Sequence, residues 1–257
     1  MLLEASIVMV REIGMDIEVL NSADSVARKA ASVIAAEARA AAAARGRFVV
    51  AVSGGHTPWL MLRELGNEDV PWSAVHVVQV DERVAPAGDP DRNLTHLRES
   101  LLAHAPLVPE QIHAMPVESA DLDAAAAQYA AALGQIAGTP PVLDLVHLGL
   151  GPDGHTASLV PGDAVLDVKE AEVAVTGVYQ GRRRMTLTYP AINRARRVLW
   201  VVTGSEKAQM LNLLLAGDAW IPAGRVLRAR AVVLADEEAA ALSTEYIGAR
   251  GAVGNRL

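Results

Sequence analysis

The chain has 257 residues, no cysteine, a formal net charge of −7 at pH 7 and 51% hydrophobic residues. The lack of cysteine excludes disulfides, thiolate metal ligands and a cysteine nucleophile, and the acidic balance argues against nucleic acid or an acidic membrane as a main partner. No apolar run approaches the roughly 20 residues of a membrane-spanning helix, and the N-terminus lacks the basic start of a signal peptide. We therefore expect a cytoplasmic protein, either a monomer or a small homo-oligomer.

Short apolar runs alternate with helical patterns along the chain. The runs predict strands at 17–20, 48–52, 74–80, 142–148, 197–202 and 231–235. The helical patterns predict helices at 22–45, 58–65, 94–104, 121–136 and 205–216, and a last one capped by Asp236. This alternation predicts an α/β fold with a doubly wound, mostly parallel sheet and helices on both faces. We expect a flexible extension over residues 1–14 and a single domain over 15–257, and leave open a small appended lobe near residues 163–195.

The strand at 48–52 ends in a glycine-rich segment. Gly54 and Gly55 are followed by Thr57, a good N-cap, and by Pro58, which suits the first helical position. A helix that begins here presents free N–H groups and the positive end of its dipole, which together favour an anion. The sequence therefore predicts phosphate binding, with an ordinary strand–turn–helix connection as the alternative.

Charged residues follow the next strand. Asp81, Glu82 and Arg83 come directly after the run at 74–80. Because residues at the carboxyl ends of parallel strands tend to face a ligand, we expect this triplet to border the site, unless it is a local ion-pair cluster. A polar loop at 86–91 follows, and Asn93 is expected to cap the next helix.

A second glycine-rich segment follows the strand at 142–148. Gly149, Gly151 and Gly154 spell G-x-G-x-x-G, the dinucleotide fingerprint. Pro161 and Gly162 end the segment within about two turns, however, whereas the fingerprint opens a long helix. The sequence therefore disfavours a nicotinamide or flavin cofactor.

The same segment carries a carboxylate and an imidazole two residues apart, Asp153 and His155. A loop imidazole beside an acid can act as a base near neutral pH, and Asp153 can orient it. The alternative is a histidine that only packs or caps. Thr156 and Ser158 are expected to cap a short helix after it.

The second half of the chain adds basic residues. Two alternating segments, 173–175 and 184–189, predict strands joined by the basic turn Gln180–Arg183. Lys207 lies in the first turn of the helix at 205–216, where a cation opposes the helix dipole unless an anion is bound there. Arg184 and Lys207, with the amides of Ser53–Gly55, would hold a phosphate, the alternative being a solvated arginine-rich surface. The residues alone thus indicate base-assisted chemistry on a phosphorylated small molecule.

Four ordered segments of this chain resemble those of 6-phosphogluconolactonases. They are Val52–Pro58, Val80–Val84, Leu148–Gly162 and Val202–Lys207. The resemblance runs from about residue 17 to about residue 242. It implies an enzyme of the oxidative pentose phosphate pathway that hydrolyses the phosphosugar lactone 6-phospho-D-glucono-1,5-lactone to 6-phosphogluconate, without metal or cofactor.

The resemblance also implies roles for individual residues. His155 would activate water and return its proton to the departing ring oxygen, Asp153 would orient His155, and Arg83 would stabilise developing charge. The implied substrate- and phosphate-binding residues are Ser53, Gly54, Gly55, Thr57, Asp81, Asn93, Gly151, Gly154, Arg184 and Lys207.

This chain departs from the pattern of the family it resembles at two places. Arg92 precedes Asn93 where the family usually has serine, and Tyr179–Arg183 replaces a turn containing proline and lysine.

Two other functions are alternatives to the lactonase. One rival is glucosamine-6-phosphate deaminase, which shares the Asp-Gly-His core but follows it with a stretch containing a carboxylate, whereas Thr156–Val160 offers no acid. The other rival is a non-catalytic sensor of sugar phosphates.

Overall fold

The computed structural model describes residues 8–12 and 15–243. The strands are β1 Val8–Glu12, β2 Met15–Leu20, β3 Phe48–Val52, β4 Val75–Gln79, β5 Asp81–Arg83, β6 Ile112–His113, β7 Leu145–Leu148, β8 Val173–Val175, β9 Arg184–Leu187, β10 Val198–Val202 and β11 Ala231–Asp236. The helices are α1 Ala23–Arg45, α2 His56–Leu65, α3 Asn93–Leu97 with a π-helical continuation Arg98–Leu102, α4 Leu122–Ala137, α5 Tyr189–Arg194 and α6 Ala208–Ala216. No helix within these described residues is long and apolar enough to cross a membrane.

Eight strands form one sheet in the order β1-β2-β11-β10-β7-β3-β4-β6. Every neighbouring pair is parallel except β1 and β2, which are antiparallel. From β3 the chain winds outward through β4 to β6, and from β7 it winds the other way through β10 to β11. The two directions meet between β3 and β7, and such a switch point is where an open α/β sheet leaves a crevice for ligands. The predicted doubly wound, mostly parallel sheet is confirmed.

Helices cover both faces of this sheet. Along β3, Val49 and Ala51 face one buried cluster, which includes residues of α4, α5 and α6. Phe48, Val50 and Val52 face the other, which includes residues of α1, α2 and α3. Because both faces are buried, the central strands are apolar without alternation, as the sequence of β3 shows.

A second, antiparallel sheet has the order β5-β9-β8. It contains the hairpin predicted around the basic turn, now joined by the triplet Asp81–Arg83, which pairs with β9. Pairing with β9 makes the triplet a short strand that follows β4. Of this sheet, β8 and β9 lie in the region 163–195 considered for a small lobe. Residues 8–12, inside the predicted flexible extension, form β1, while residues 1–7 and 13–14 lie outside the described part, and the domain division stays a prediction.

Two of the predicted helix caps are wrong, because their side chains bond elsewhere. Thr57 lies inside α2, and its Oγ1 is 2.6 Å from Oγ1 of Thr203. Asn93 is the first residue of α3, and Arg92 holds the N-cap position. The Asn93 side chain instead donates to the backbone oxygen of Asp81 at 2.9 Å.

Two predicted helices are also absent from the described residues. The segment with Thr156 and Ser158 forms turns, because the Thr156 hydroxyl donates to the Gly149 oxygen at 2.9 Å and the Ser158 hydroxyl to Asp81 at 2.6 Å. The described residues after Asp236 form turns instead of the predicted last helix.

Candidate active site

A cavity of about 210 Å³ opens at the carboxyl ends of β3 and β7, at the switch point of the sheet. The residues that line it are Ser53, Gly54, Gly55, Asp81, Arg83, Asn93, Gly149, Leu150, Gly151, Pro152, His155, Ala157, Arg184 and Lys207. They come from the ends of four different strands and from the hairpin. The topology therefore brings together segments that are more than 100 residues apart in the chain.

His155 and Asp153 form a hydrogen-bonded pair at the edge of the cavity. His155 Nδ1 lies 2.5 Å from Asp153 Oδ1, and the backbone N–H of His155 donates to the same oxygen at 3.2 Å. The backbone oxygen of His155 accepts from Gly151 N–H at 2.8 Å. His155 is thus held in place through its ring and through its backbone.

The charge state of Asp153 fixes which nitrogen of His155 carries the proton. Burial by itself raises the pKa of Asp153, but the neighbouring His155 and the hydrogen bonds from His155 and Tyr179 outweigh it and hold that pKa below its ordinary value. An ionised carboxylate can only accept, so Nδ1 is the protonated nitrogen. In the neutral imidazole the lone pair is then on Nε2, which is left for a ligand or water.

Gly151 leaves the space that the His155 ring occupies. A Cβ built on Gly151 would overlap His155 Nδ1 and lie 2.7 Å from Asp153 Oδ1. Gly154 has φ +81° and closes the turn between them, its N–H donating to the Gly151 oxygen at 3.0 Å. The glycines that spell the dinucleotide fingerprint therefore serve a tight turn around a histidine.

Arg83 and Asn93 also line the cavity and are hydrogen-bonded to each other. Arg83 Nη1 donates to Asn93 Oδ1 at 2.5 Å and to the Asp91 backbone oxygen at 3.1 Å. Gly54 passes so close to the Asn93 amide that a Cβ on Gly54 would overlap it. The glycine-rich loop after β3 and the charged triplet after β4 therefore both pack against Asn93.

Glu82 holds Arg83 and Asn93 in place. The side chain is fully buried. Its oxygens accept hydrogen bonds, all within 2.9 Å, from the backbone N–H groups of Arg83, Asn93 and Leu94 and from the side-chain amide of Gln79. Arg92 is buried as well, with Nε 3.4 Å from Glu82, and its other end pairs with Glu118. Arg92 therefore supplies the counter-charge of a buried carboxylate that orders the triplet and the start of α3.

Ser53 is tied to the sheet through His147. Its N–H donates to His147 Nδ1 at 3.2 Å and its hydroxyl donates to the His147 backbone oxygen at 3.0 Å. The hydroxyl proton of Ser53 is therefore directed to the sheet, and the residue meets the cavity through its remaining surface. His147, at the end of β7, thus links this strand to the glycine-rich loop after β3.

The burial of His147 leads to a prediction about stability. Burial lowers the pKa of His147 from 6.5 to about 3. Between those pH values the unfolded chain binds a proton that the folded chain does not, so this residue destabilises the fold as the pH falls below 6.5 and costs nothing above it. At about 1.4 kcal/mol per pH unit, the free energy of unfolding should fall by about 2 kcal/mol from this residue between pH 6.5 and pH 5.

Urea unfolding at pH 7 and pH 5 tests this, with His147→Asn as the comparison. Asn keeps an oxygen near the place of Nδ1 for the Ser53 N–H but does not titrate. The variant is expected to be less stable at both pH values but to lose less on acidification than the wild type. An equal loss in the two proteins would contradict the prediction. His76 and His113, whose pKa values are also lowered by burial, act in the same direction in both proteins.

Positive charge and free amides also border the cavity. The N-cap of α2 is Gly55, and no side chain caps this helix, so its first N–H groups are left for a ligand. Arg184 is buried, and its Nε is buried without a hydrogen-bond partner. Lys207 lies on a 3₁₀ turn before α6, with Glu206 3.8 Å away. These groups suit a phosphate.

The structure thus gathers most of the predicted site residues around one cavity. Three do not line it: Asp153 lies behind His155, Gly154 closes the turn beside Ile221, and Thr57 bonds to Thr203. The predicted ligand contacts of Thr57 and Gly154, and the predicted role of Asp153 in orienting His155, stay predictions. A residue missed from the sequence is Tyr179, whose hydroxyl donates to Asp153 Oδ2 at 2.9 Å. Its position was hidden because it comes from a distant hairpin turn.

Metal ligands are not grouped in the part of the chain that the structure describes. Within residues 8–12 and 15–243, no three histidine or carboxylate side chains are placed to hold a metal ion. The expectation of a reaction without metal or cofactor stays a prediction.

Comparisons with known proteins place these features in a family. The family described as glucosamine-6-phosphate isomerases/6-phosphogluconolactonase matches residues 21–235. The 6-phosphogluconolactonase of Synechocystis sp. is 38% identical over 183 residues, 70% of this chain and 76% of its own. That of Mycobacterium tuberculosis is 37% identical over 239 residues, 88% of this chain and 97% of its own. A solved 6-phosphogluconolactonase from Trypanosoma cruzi has a TM-score of 0.80 at 27% identity, covering 89% of this chain and 96% of that one.

Proposed function

The chain belongs to the glucosamine-6-phosphate isomerase/6-phosphogluconolactonase family, and on this premise we propose that it hydrolyses 6-phospho-D-glucono-1,5-lactone to 6-phospho-D-gluconate. The observation that carries the proposal is the hydrogen-bonded His155–Asp153 pair beside a cavity that Arg184 and Lys207 also line. A base and an anion site in one small cavity suit a substrate that carries both a reactive ester and a phosphate.

His155 would act as the general base. Its Nε2 lone pair would take a proton from a water molecule as the water oxygen bonds to the lactone carbonyl carbon. The carbon–ring oxygen bond would then break, and the imidazolium would return that proton to the departing oxygen. Asp153 would stabilise the imidazolium through Nδ1 without taking its proton.

Charge that develops on the carbonyl oxygen needs a donor. Arg83 would be this donor. Asn93 and the Asp91 backbone hold one of its terminal nitrogens, and the residue lines the cavity. Backbone amides near Gly54 and Gly151 would add to it, since both residues line the same cavity.

The phosphate would be held by the start of α2, Arg184 and Lys207. The uncapped N–H groups and the positive helix end attract an anion, and the two side chains add full charges. A bound phosphate would also explain why Lys207 stands before a helix N-terminus, where a cation is otherwise unfavourable.

Lys207→Ala is expected to raise KM by about tenfold or more, with a much smaller change in kcat, because the removed charge binds a part of the substrate that does not react. Steady-state kinetics over a range of lactone concentrations gives both constants. Lys29→Ala, which removes a lysine paired with Glu18 outside the site, serves as the control. An unchanged KM in Lys207→Ala would remove Lys207 from the phosphate site.

The direct test of the function is hydrolysis of the lactone itself. 6-Phosphogluconolactone is generated in situ and its loss is followed after subtraction of the spontaneous rate. We expect strong acceleration by the wild type and none by enzyme-free buffer. A wild-type rate equal to the spontaneous rate would overturn the proposal.

The two rival functions are separated by the same preparation. Release of ammonia from glucosamine 6-phosphate would identify the deaminase activity, which the lack of an acid in Thr156–Val160 disfavours. Binding of 6-phosphogluconate without turnover of either substrate, unchanged in His155→Ala, would identify a sensor.

A further inference from the structure

We propose that Tyr179 is a positioning residue of this active site. It orients His155 through Asp153, and it orients Arg184, one of the residues that would hold the phosphate. This inference deepens the proposed function and rests on it. It concerns a residue in the turn where this chain departs from the family's proline- and lysine-containing sequence.

The first contact of Tyr179 is with the carboxylate behind His155. The Tyr179 hydroxyl donates to Asp153 Oδ2 at 2.9 Å, while Asp153 Oδ1 accepts from His155. Both oxygens of the carboxylate are then engaged, so its plane cannot rotate freely. Because the imidazole is hydrogen-bonded to that plane, the orientation of Nε2 toward the cavity depends on the tyrosine. The Tyr179 ring also lies edge-on to the imidazole, with centroids 5.5 Å apart.

The second contact of Tyr179 is with the guanidinium of Arg184. The central carbon of the Arg184 guanidinium lies 4.8 Å from the centre of the Tyr179 ring, within reach of a cation–π interaction. The next residue, Gln180, accepts from Arg184 Nη2 at 3.1 Å. Within residues 8–12 and 15–243 Arg184 forms no ion pair, and Asp81 and Asp153 act on its charge only from a longer distance. The aromatic face and the Gln180 oxygen therefore orient a guanidinium whose charge stays available for a phosphate.

The turn that carries Tyr179 is itself held in place. Gln180 and Gly181 have φ of +50° and +80°, and the backbones of Tyr179 and Arg182 pair on either side of them. Positive φ at both central residues is the pattern of a type I′ turn, which matches the twist of a hairpin. The Arg182 guanidinium pairs with Asp89 and Asp91 of the loop at 86–91, at 3.1 and 2.9 Å. Tyr179 therefore lies in a tight turn that the ion pairs of Arg182 attach to the loop at 86–91.

Two substitutions separate the two contacts. Tyr179→Phe removes the hydroxyl but keeps the ring beneath Arg184, so we expect kcat to fall about five- to tenfold with KM within twofold of the wild type. Tyr179→Leu removes the ring as well, so we expect a similar fall in kcat together with a several-fold rise in KM. In an Asp153→Ala background, Tyr179→Phe should cause no further loss of kcat, because its partner is gone.

A purely structural role would give a different result. Tyr189→Phe is the matched control: it also removes a tyrosine hydroxyl with a hydrogen bond, to the Pro222 oxygen at 2.8 Å, without touching Asp153 or Arg184. It should lower stability by at least as much as Tyr179→Phe does, because its hydrogen bond is more buried, with kcat preserved. Equal losses of kcat in the two variants, or a full additive loss in the Asp153→Ala background, would overturn the proposal.

A spectroscopic reading tests the positioning without any turnover. In protein labelled with ¹⁵N-histidine, the Nδ1–H proton of His155, assigned by its absence in His155→Gln, should give a downfield signal in the wild type. We expect this signal to move or broaden in Tyr179→Phe and to stay in Tyr189→Phe. An unchanged signal in Tyr179→Phe would overturn the inference, whereas a wild type that hydrolyses no lactone would overturn only the proposed function.

Discussion

His155→Ala is expected to lower kcat for 6-phosphogluconolactone by about 10²–10⁴-fold, the usual contribution of a general base. The loss should fall on kcat, because the residues that would bind the phosphate, Arg184 and Lys207, lie elsewhere in the cavity and are untouched. Binding of the product, 6-phosphogluconate, should stay within a few-fold of the wild type when it is measured by calorimetry.

The control for this experiment is His104→Ala, which removes an exposed histidine away from the cavity. It should keep wild-type kcat and KM. Near-normal turnover by His155→Ala would show that His155 is not the base, even if the wild type is confirmed as a lactonase. Loss of product binding together with kcat would instead indicate that the variant has lost the shape of the site.

Gly151→Ala is expected to lower kcat by about 10²-fold, although it removes no functional group. The added methyl would occupy the space of His155 Nδ1 and crowd Asp153. The imidazole would have to move by about 1 Å or more, and a displacement of that size at a reacting group can cost about 100-fold in rate.

Gly149→Ala is the comparison for that variant. It adds the same methyl two residues earlier, where no other atom lies within 4 Å, so its loss of kcat should be far smaller. Urea unfolding of both variants checks that each is folded under assay conditions. If Gly151→Ala keeps wild-type kcat, the His155 ring does not need the position that the structure gives it.

Most of the fold followed from local patterns in the sequence. The observed bounds of α1, Ala23–Arg45, and of α4, Leu122–Ala137, agree with the helices predicted at 22–45 and 121–136. The apolar runs became the central strands, because a strand buried on both faces must be apolar throughout. Where a polar side chain had a choice of partners, local reasoning failed: Thr57 and Asn93 looked like helix caps but bond to residues far along the chain.

The candidate site, too, could be predicted from the sequence only in part. Gly54, Asp81, His155 and Lys207 were expected to meet because each follows a strand of one parallel sheet, and they line one cavity. The importance of Tyr179 could not be predicted, since its hydroxyl meets Asp153 only after the hairpin folds over the sheet.

The sequence by itself determined the elements, their alternation and the chemical types gathered at one edge of the sheet, because capping, periodicity and strand ends are properties of neighbouring residues. The tertiary structure alone decided which groups touch: Arg92 as the counter-charge of Glu82, His147 as the anchor of Ser53, and Tyr179 as the second partner of Asp153. These contacts join segments from 10 to more than 90 residues apart. Their geometry depends on how the chain packs around a buried charge or a buried imidazole, which no local pattern encodes.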